Sequence, residues 1–272
     1  MAELRKIIVS PDLYTKEYYL SDCEGHREYF SGLDNATHPL YKMALEIADI
    51  KHSESVLDIG CGRGELVFYS VMKGAKAIGL DYSKDAIEIA KETIKKLPVD
   101  LQDKAEAYCA DATDYVFNRK LDVVFMLEVA EHMHDWQLEK LLSCLGGLLS
   151  DKGRIIIITP NYYYEKYLQP LKRFLDIPFQ MIKWPLRIFR GKYKYSGFGD
   201  IMHKIFGRII INRGETHKKR HCNITTPARL KRLLKDFDAS VYCHDPSVAP
   251  ISLLLKHWWG LHVIAIARKK QC

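Results

Sequence analysis

The sequence predicts an α/β fold, with a mostly parallel sheet covered by helices on both faces. Two patterns carry that expectation. Seven apolar runs of strand length recur along the chain, with helical patterns between most of them, the alternation that a parallel sheet requires. One run, Arg154–Thr159, holds four consecutive isoleucines, as a strand buried on both faces does. A chain of 272 residues with 47% hydrophobic and 28% charged content can bury a core without disulfide or metal support. That composition excludes a disordered, collagen-like or coiled-coil protein.

The elements follow in order. Residues 1–50 read as an N-terminal helical cap, clearest at Pro39–Ile50. Its Tyr14, Tyr18, Tyr19, Cys23, His26, Tyr29 and Phe30 either cover a ligand or pack in the core. The expected strands are Ser55–Ile59, Lys76–Leu80, Glu106–Ala110, Leu121–Leu127, Arg154–Thr159, Ser240–His244 and His262–Ala267. The expected helices are Glu65–Lys73, Ser83–Leu97, Asp135–Leu149 and Pro227–Asp236, with Ser83 and Thr226 as N-caps and Pro98 closing the second. Residues 51–160 form the binding core, 161–220 an insertion between strands five and six, and 221–272 the C-terminal part of the sheet.

The net charge of +7 is unevenly placed. Between Asn161 and Arg220 stand 14 Lys and Arg against 4 Asp and Glu, with 12 of the 30 aromatic residues. Basic residues interleaved with Phe174, Phe179 and Trp184 suit an anionic membrane surface, nucleic acid or a lid over an acceptor. Residues 162–213 are therefore expected to be an acceptor lid or a peripheral membrane contact. Nucleic acid is the weaker reading, because the chain shows no recognisable RNA-binding module. Seven scattered cysteines without a CxxC pair, and an N-terminus without a long apolar stretch, point to a reducing, cytoplasmic setting.

Three signals then define a ligand. In V-L-D-I-G-C-G-R-G-E-L, Val56–Leu66, the glycines Gly60, Gly62 and Gly64 follow a strand and open a helix. Glycine permits positive φ and close approach, and a helix N-terminus favours an anionic group. Asp58 precedes the turn, and Glu65 stands where a dinucleotide fingerprint has its third glycine. Asp81, in G-L-D-Y-S at the end of the second strand, can accept hydrogen bonds from both hydroxyls of a ribose. Asp111, in C-A-D-A, ends the third strand on the same sheet edge, where a carboxylate can hold an exocyclic amine.

D-I-G-C-G-R-G-E, G-L-D-Y-S and A-D-A together resemble the cofactor motifs of the class I S-adenosylmethionine-dependent methyltransferases. The resemblance covers about Val56 to Pro160. It implies a Rossmann-like seven-stranded sheet with a hairpin-like final strand. It also implies that Asp58, Gly60, Gly62 and Gly64 shape the methionine site, that Asp81 and Tyr82 serve the ribose, that Asp111 and Ala112 flank adenine, and that Glu128 borders the cofactor.

The stretch L-E-V-A-E-H-M-H-D follows the fourth strand. If it is helical, Glu128, Glu131 and His132 at i, i+3 and i+4 share one face. Two carboxylates and an imidazole together suit Mg²⁺ or Mn²⁺, or a metal-free site in which His132 is a general base. His134 is read as a surface residue. The E-x-x-E-H spacing is similar to that of the ubiquinone-biosynthesis O-methyltransferases and the small-RNA 2′-O-methyltransferases. That likeness implies a divalent metal on these residues with a later histidine, here His221 or His217. The expected activity is O-methylation of a hydroxyl on a small molecule such as a quinone-like phenol, lipid or sugar. RNA 2′-O-methylation and small-molecule N-methylation are the alternatives.

Overall fold

The computed structural model describes residues 9–33, 37–117, 119–171, 222–244 and 260–270. Its centre is a seven-stranded sheet of order β3-β2-β1-β4-β5-β7-β6. The strands are β1 (Ser55–Ile59), β2 (Lys76–Asp81), β3 (Ala105–Cys109), β4 (Leu121–Leu127), β5 (Leu149–Pro160), β6 (Phe237–His244) and β7 (His262–Lys269). Strands β1 to β5 pair in parallel, and β7 runs antiparallel to both β5 and β6. The fold is the Rossmann-like mostly parallel sheet with helices on both faces.

Alternation along the strands sends successive side chains to opposite faces. Val123, Phe125, Ile156 and Ile158 join one apolar cluster with α2 (Pro39–Ala48), α3 (Glu65–Met72) and α4 (Lys84–Ile94). Val124, Met126, Ile155 and Ile157 join the other with α5 (Asp135–Leu148) and α6 (Pro227–Leu233). This explains the isoleucine run: every position faces a helix layer, and burial of each such side chain contributes roughly 1.5–3 kcal/mol. Arg154, just ahead of the run, forks onto Glu54 at 2.9 Å and donates to the carbonyls of Ala48 and Asp49, tying the end of α2 to the sheet.

Helix α4 begins at the predicted cap, where the Ser83 hydroxyl accepts from the Ala86 N–H. Strand β5 starts five residues earlier than predicted, because Leu149 pairs with Leu121 across a bulge. In the N-terminal section a short helix α1 (His26–Ser31) precedes α2, and a π-helical turn spans Tyr18–Asp22. Strand order reverses between β1 and β4. The turns leaving these two strands therefore part at the carboxyl edge, where ligands of open α/β sheets bind. Among the described residues, no helix is long and apolar enough to cross a membrane.

Candidate active site

The turn after β1 is built on positive φ at Gly60, Gly62 and Gly64. Two of the three also answer to close neighbours. A Cβ on Gly60 would overlap the Val129 side chain in the turn after β4, so Gly60 sets how closely the two turns approach. One on Gly64 would press on Ala90 of α4 at 3.0 Å, so Gly64 serves helix packing and lies outside the cavity lining. The Asp81 carboxylate staples the turn, accepting from the Gly62 N–H at 3.0 Å and the Ser83 N–H at 2.9 Å. Burial pushes Asp81 up to about 6, against those two hydrogen bonds.

Between the glycine turn and the N-terminal section lies Arg63, only 1% exposed. It forks onto Glu65 at 3.1 and 3.0 Å and donates to the carbonyls of Tyr19 and Glu24, both at 2.8 Å. Burial works against its charge, and the Glu65 carboxylate outweighs that cost, holding the guanidinium protonated above its ordinary value. Glu65 at the missing third glycine is thus half of a buried ion pair that clasps the N-terminal section to the turn. Asp58 is buried inside β1, away from the cavity wall. Burial, then the Asp81 and Glu65 charges, hold its carboxyl well above the usual range.

A cavity of about 230 Å³ opens at this edge. Four groups of predicted residues meet on its wall: Gly60 with Gly62, Asp81 with Tyr82, Asp111 with Ala112, and Glu128 with Glu131 and His132. The N-terminal section supplies Tyr14, Tyr18, Tyr19 and Cys23 to the same wall. Tyr41 of α2 lines it too, whereas Tyr29 and Phe30 do not. The Tyr29 hydroxyl bonds Thr93 inside the core, and Phe30 is exposed.

The E-x-x-E-H stretch departs from the expected helix. Glu128 has φ 54°, and only Ala130–His132 form a single 3₁₀ turn. The i, i+3, i+4 spacing therefore does not put three ligands on one helical face. Glu131 is fully buried and accepts from the Thr159 hydroxyl at 2.8 Å through Oε2, while its Oε1 lies 3.8 Å from His132 Nε2. Burial raises its carboxyl, opposed first by His132. On the far side of the ring, His132 Nδ1 meets the Tyr14 hydroxyl at 3.0 Å. Glu128 turns instead toward His262 at the start of β7, with Oε1 3.8 Å from Nε2.

Among the described residues, no three His, Cys, Asp or Glu side chains assemble as a metal-holding group. The proposed Mg²⁺ or Mn²⁺ centre on Glu128, Glu131 and His132 does not fit this part of the chain. Glu131 Oε2 and His132 Nδ1 are engaged by Thr159 and Tyr14, Glu128 turns toward His262, and His221 and His217 lie outside the described residues. His134 is corrected as well: it is half-buried and forms the N-cap of α5 in a capping box with Gln137.

Residues missing from the sequence reading of the chemistry are Thr159, His262 and Arg229. Arg229 of α6 ties this edge together, bonding Asp135 at 2.7 Å, the hydroxyl of Thr225 at 2.5 Å and the carbonyls of Asn223 and Met133. The Asn223 N–H in turn donates to the Glu131 carbonyl at 3.0 Å. Nearly all the insertion, residues 172–220, lies outside the described residues, so the lid and membrane expectations fall there.

Comparison with known proteins places this architecture. Residues 33–244 match the family described as "Methyltransferase domain", and the chain belongs to that family, whose members here are S-adenosylmethionine-dependent methyltransferases. The ubiquinone biosynthesis O-methyltransferase of Vibrio cholerae is 34% identical over 46% of this chain and 49% of its own length. The (S)-coclaurine N-methyltransferase of Papaver somniferum is 27% identical over 59% of this chain and 47% of its own. The chain thus spans about half the length of these relatives. The glycopeptide N-methyltransferase MtfA, solved with S-adenosylmethionine, shares the fold at TM-score 0.54 and 12% identity, over 85% of this chain and 87% of that one.

Proposed function

We propose that this chain transfers the methyl group of S-adenosylmethionine to a nucleophilic atom of a small molecule, in the cavity at the carboxyl edge of the sheet. The observation that carries the reading is the convergence, on that single wall, of the glycine turn, Asp81, Asp111 and the Glu131–His132 pair. In this reading Asp81 holds the ribose hydroxyls and Tyr82 lies beside them, while Asp111 and Ala112 flank the adenine. The glycine turn receives the methionine portion, with Glu128 at the transfer end.

The sulfonium supplies an activated methyl group, so the chain's own work is alignment and proton removal. Alignment of reacting groups supplies up to about 7–11 kcal/mol in intramolecular models. His132, backed by the buried Glu131 carboxylate, accepts the proton of a hydroxyl acceptor, a step typically worth about 10²–10⁴-fold. No step is routed through a metal.

A second reading, transfer to an amine, is favoured by the charge of the wall. Glu24, Asp81, Asp111, Glu128 and Glu131 line it, and its one arginine, Arg63, is neutralised by Glu65. Such a surface favours a cationic guest over an anionic one.

The test is calorimetry with S-adenosylhomocysteine, followed by turnover of S-adenosylmethionine against a panel of catechols, phenols and secondary amines. His132→Gln is expected to keep the calorimetric affinity within about twofold and to lose transfer by about 100-fold or more. Absence of heat in folded protein overturns the reading.

A pH dependence follows from Asp81. Its folded-state value of about 6 means that acidification protonates it, removing an acceptor for the ribose. If only the carboxylate form binds, about a tenth of the protein is competent at pH 5, and S-adenosylhomocysteine affinity falls about tenfold between pH 7.5 and pH 5. Calorimetry at those two values checks it, and a flat response contradicts it.

A further inference from the structure

Tyr14 lies in the N-terminal section, 118 residues away from His132 in sequence, yet its hydroxyl sits 3.0 Å from His132 Nδ1. The ring planes stand nearly perpendicular, at 89°. Tyr14 is held from several sides. Its carbonyl accepts from the Ser83 hydroxyl at 2.8 Å, its ring packs against Tyr82 and Tyr18 at 5.5 Å, and only 6% of the residue is exposed. The next turn of the chain is pinned too, where the Lys16 N–H donates to Asp85 at 2.7 Å. The hydroxyl is therefore delivered to His132 by a well-anchored segment.

The surroundings decide which group donates. Tyr14 meets the ring at Nδ1 and the Glu131 carboxylate lies toward Nε2, with Thr159 behind Glu131; Asp81 also acts on the imidazole through space, and the Tyr14 hydroxyl has that of Tyr82 within hydrogen-bond reach. A carboxylate favours the imidazole proton on the nitrogen that faces it. Nε2 then carries the proton, Nδ1 is an acceptor, and the phenol donates.

We infer that Tyr14 orients His132 and completes its proton-accepting site, its hydroxyl donating to Nδ1 and fixing the ring as the Nε2–H tautomer between itself and Glu131. A consequence for the reaction rests on the methyl-transfer reading. Tyr14 also lines the cavity, so the proton of an acceptor reaches Nδ1 by way of the phenol: the phenol oxygen takes it while its own proton passes to the imidazole. The acceptor–carbon bond forms as the sulfur–carbon bond breaks, the sulfonium becomes a neutral thioether, and the imidazolium is left beside the Glu131 carboxylate. The proton-accepting group is complete only when the N-terminal section is seated.

The test is nitrogen-15 spectroscopy of the histidine rings in the full chain, with the His132 signals assigned by their loss in His132→Gln. The expected wild-type pattern is the Nε2–H form with a hydrogen-bonded acceptor at Nδ1. In Tyr14→Phe the acceptor shift is lost and the Nδ1–H form gains population. A wild-type ring protonated at Nδ1, or ring signals unchanged in Tyr14→Phe, overturns the inference and leaves Tyr14 as packing. S-adenosylhomocysteine calorimetry is run on the wild type alongside. A null result there counts against the cofactor reading alone, since the tautomer is read without ligand.

Discussion

Arg63→Ala is expected to lower the melting temperature by roughly 6–20 °C. Removing one partner of a buried ion pair costs about 3–5 kcal/mol, and each kcal/mol shifts Tm by about 2–4 °C at this chain length. The mechanism is specific. The truncation strands the Glu65 carboxylate, whose side chain is only 4% exposed, and leaves the Tyr19 and Glu24 carbonyls without their donor. Thermal unfolding followed by circular dichroism measures it. Arg63→Met with Glu65→Leu is expected to recover much of the loss, because an apolar pair removes the orphaned charge rather than exposing it. A single variant that melts within 2 °C of the wild type disproves the account. Hydrogen exchange in the double variant is expected to rise at residues 14–24, since the carbonyl contacts of the clasp are gone.

Gly60→Ala is expected to weaken S-adenosylhomocysteine binding by at least tenfold while the protein stays folded. Alanine at φ +71° costs about 1–2 kcal/mol in backbone strain. Its methyl group would also overlap Val129, which forces apart the turns leaving β1 and β4. The ligand cavity lies between those turns, so the strain falls on binding more than on the core. The double variant Gly60→Ala with Val129→Ala separates the two terms. It is expected to regain the part of the affinity lost to overlap and not the part lost to φ. Equal affinity in Gly60→Ala and wild type, by calorimetry, rules out the close approach of the two turns as a determinant of the site.

Much of the fold was legible because its signals are local. Strands β1 and β4 have the predicted bounds, since each is a nearly continuous buried apolar run with polar or turn residues at its ends. Ser83 and Thr226 cap their helices as read, because a short hydroxyl side chain ahead of a helical pattern has few other uses. The grouping of residues on the cavity wall was legible for the same reason. Motifs at the ends of β1, β2 and β3 all emerge on one edge once the strands run parallel.

The stretch after β4 was less legible, and Glu128 shows why. Spacing alone favoured a helical face for Glu128, Glu131 and His132. The β4–β5 pairing continues through the Glu128 N–H to the Ile158 carbonyl at 2.8 Å, and the chain turns sharply only after it, with Glu128 in a left-handed conformation. Tertiary pairing outweighed the local pattern. The partners of this stretch come from Tyr14, Thr159 and His262, each supplied by a different element, and no sequence period connects them. Arg63 was hidden in the same way: inside a glycine motif it has no signature until the Tyr19 and Glu24 carbonyls arrive from 39 or more residues away.

The reversed strand β7 has a consequence for divergence. Because it runs against its neighbours, its first residue, His262, stands beside Pro160 at the end of β5 and His244 at the end of β6. The Asn161 N–H bonds the Leu261 carbonyl and the Tyr162 N–H bonds the Thr225 carbonyl. The described chain is therefore tied by main-chain pairing at one rim, at Asn161 and Tyr162 with Leu261 and Thr225, and at His244 with His262, and both long stretches of sequence, 172–221 and 245–259, fall between these moorings. Lengthening a stretch between fixed moorings is cheap, about 0.6 kcal/mol for each doubling. Descendants of this framework can change the length of either stretch by insertion or deletion while the paired strands stay untouched, which gives selection a graft point that spares the core.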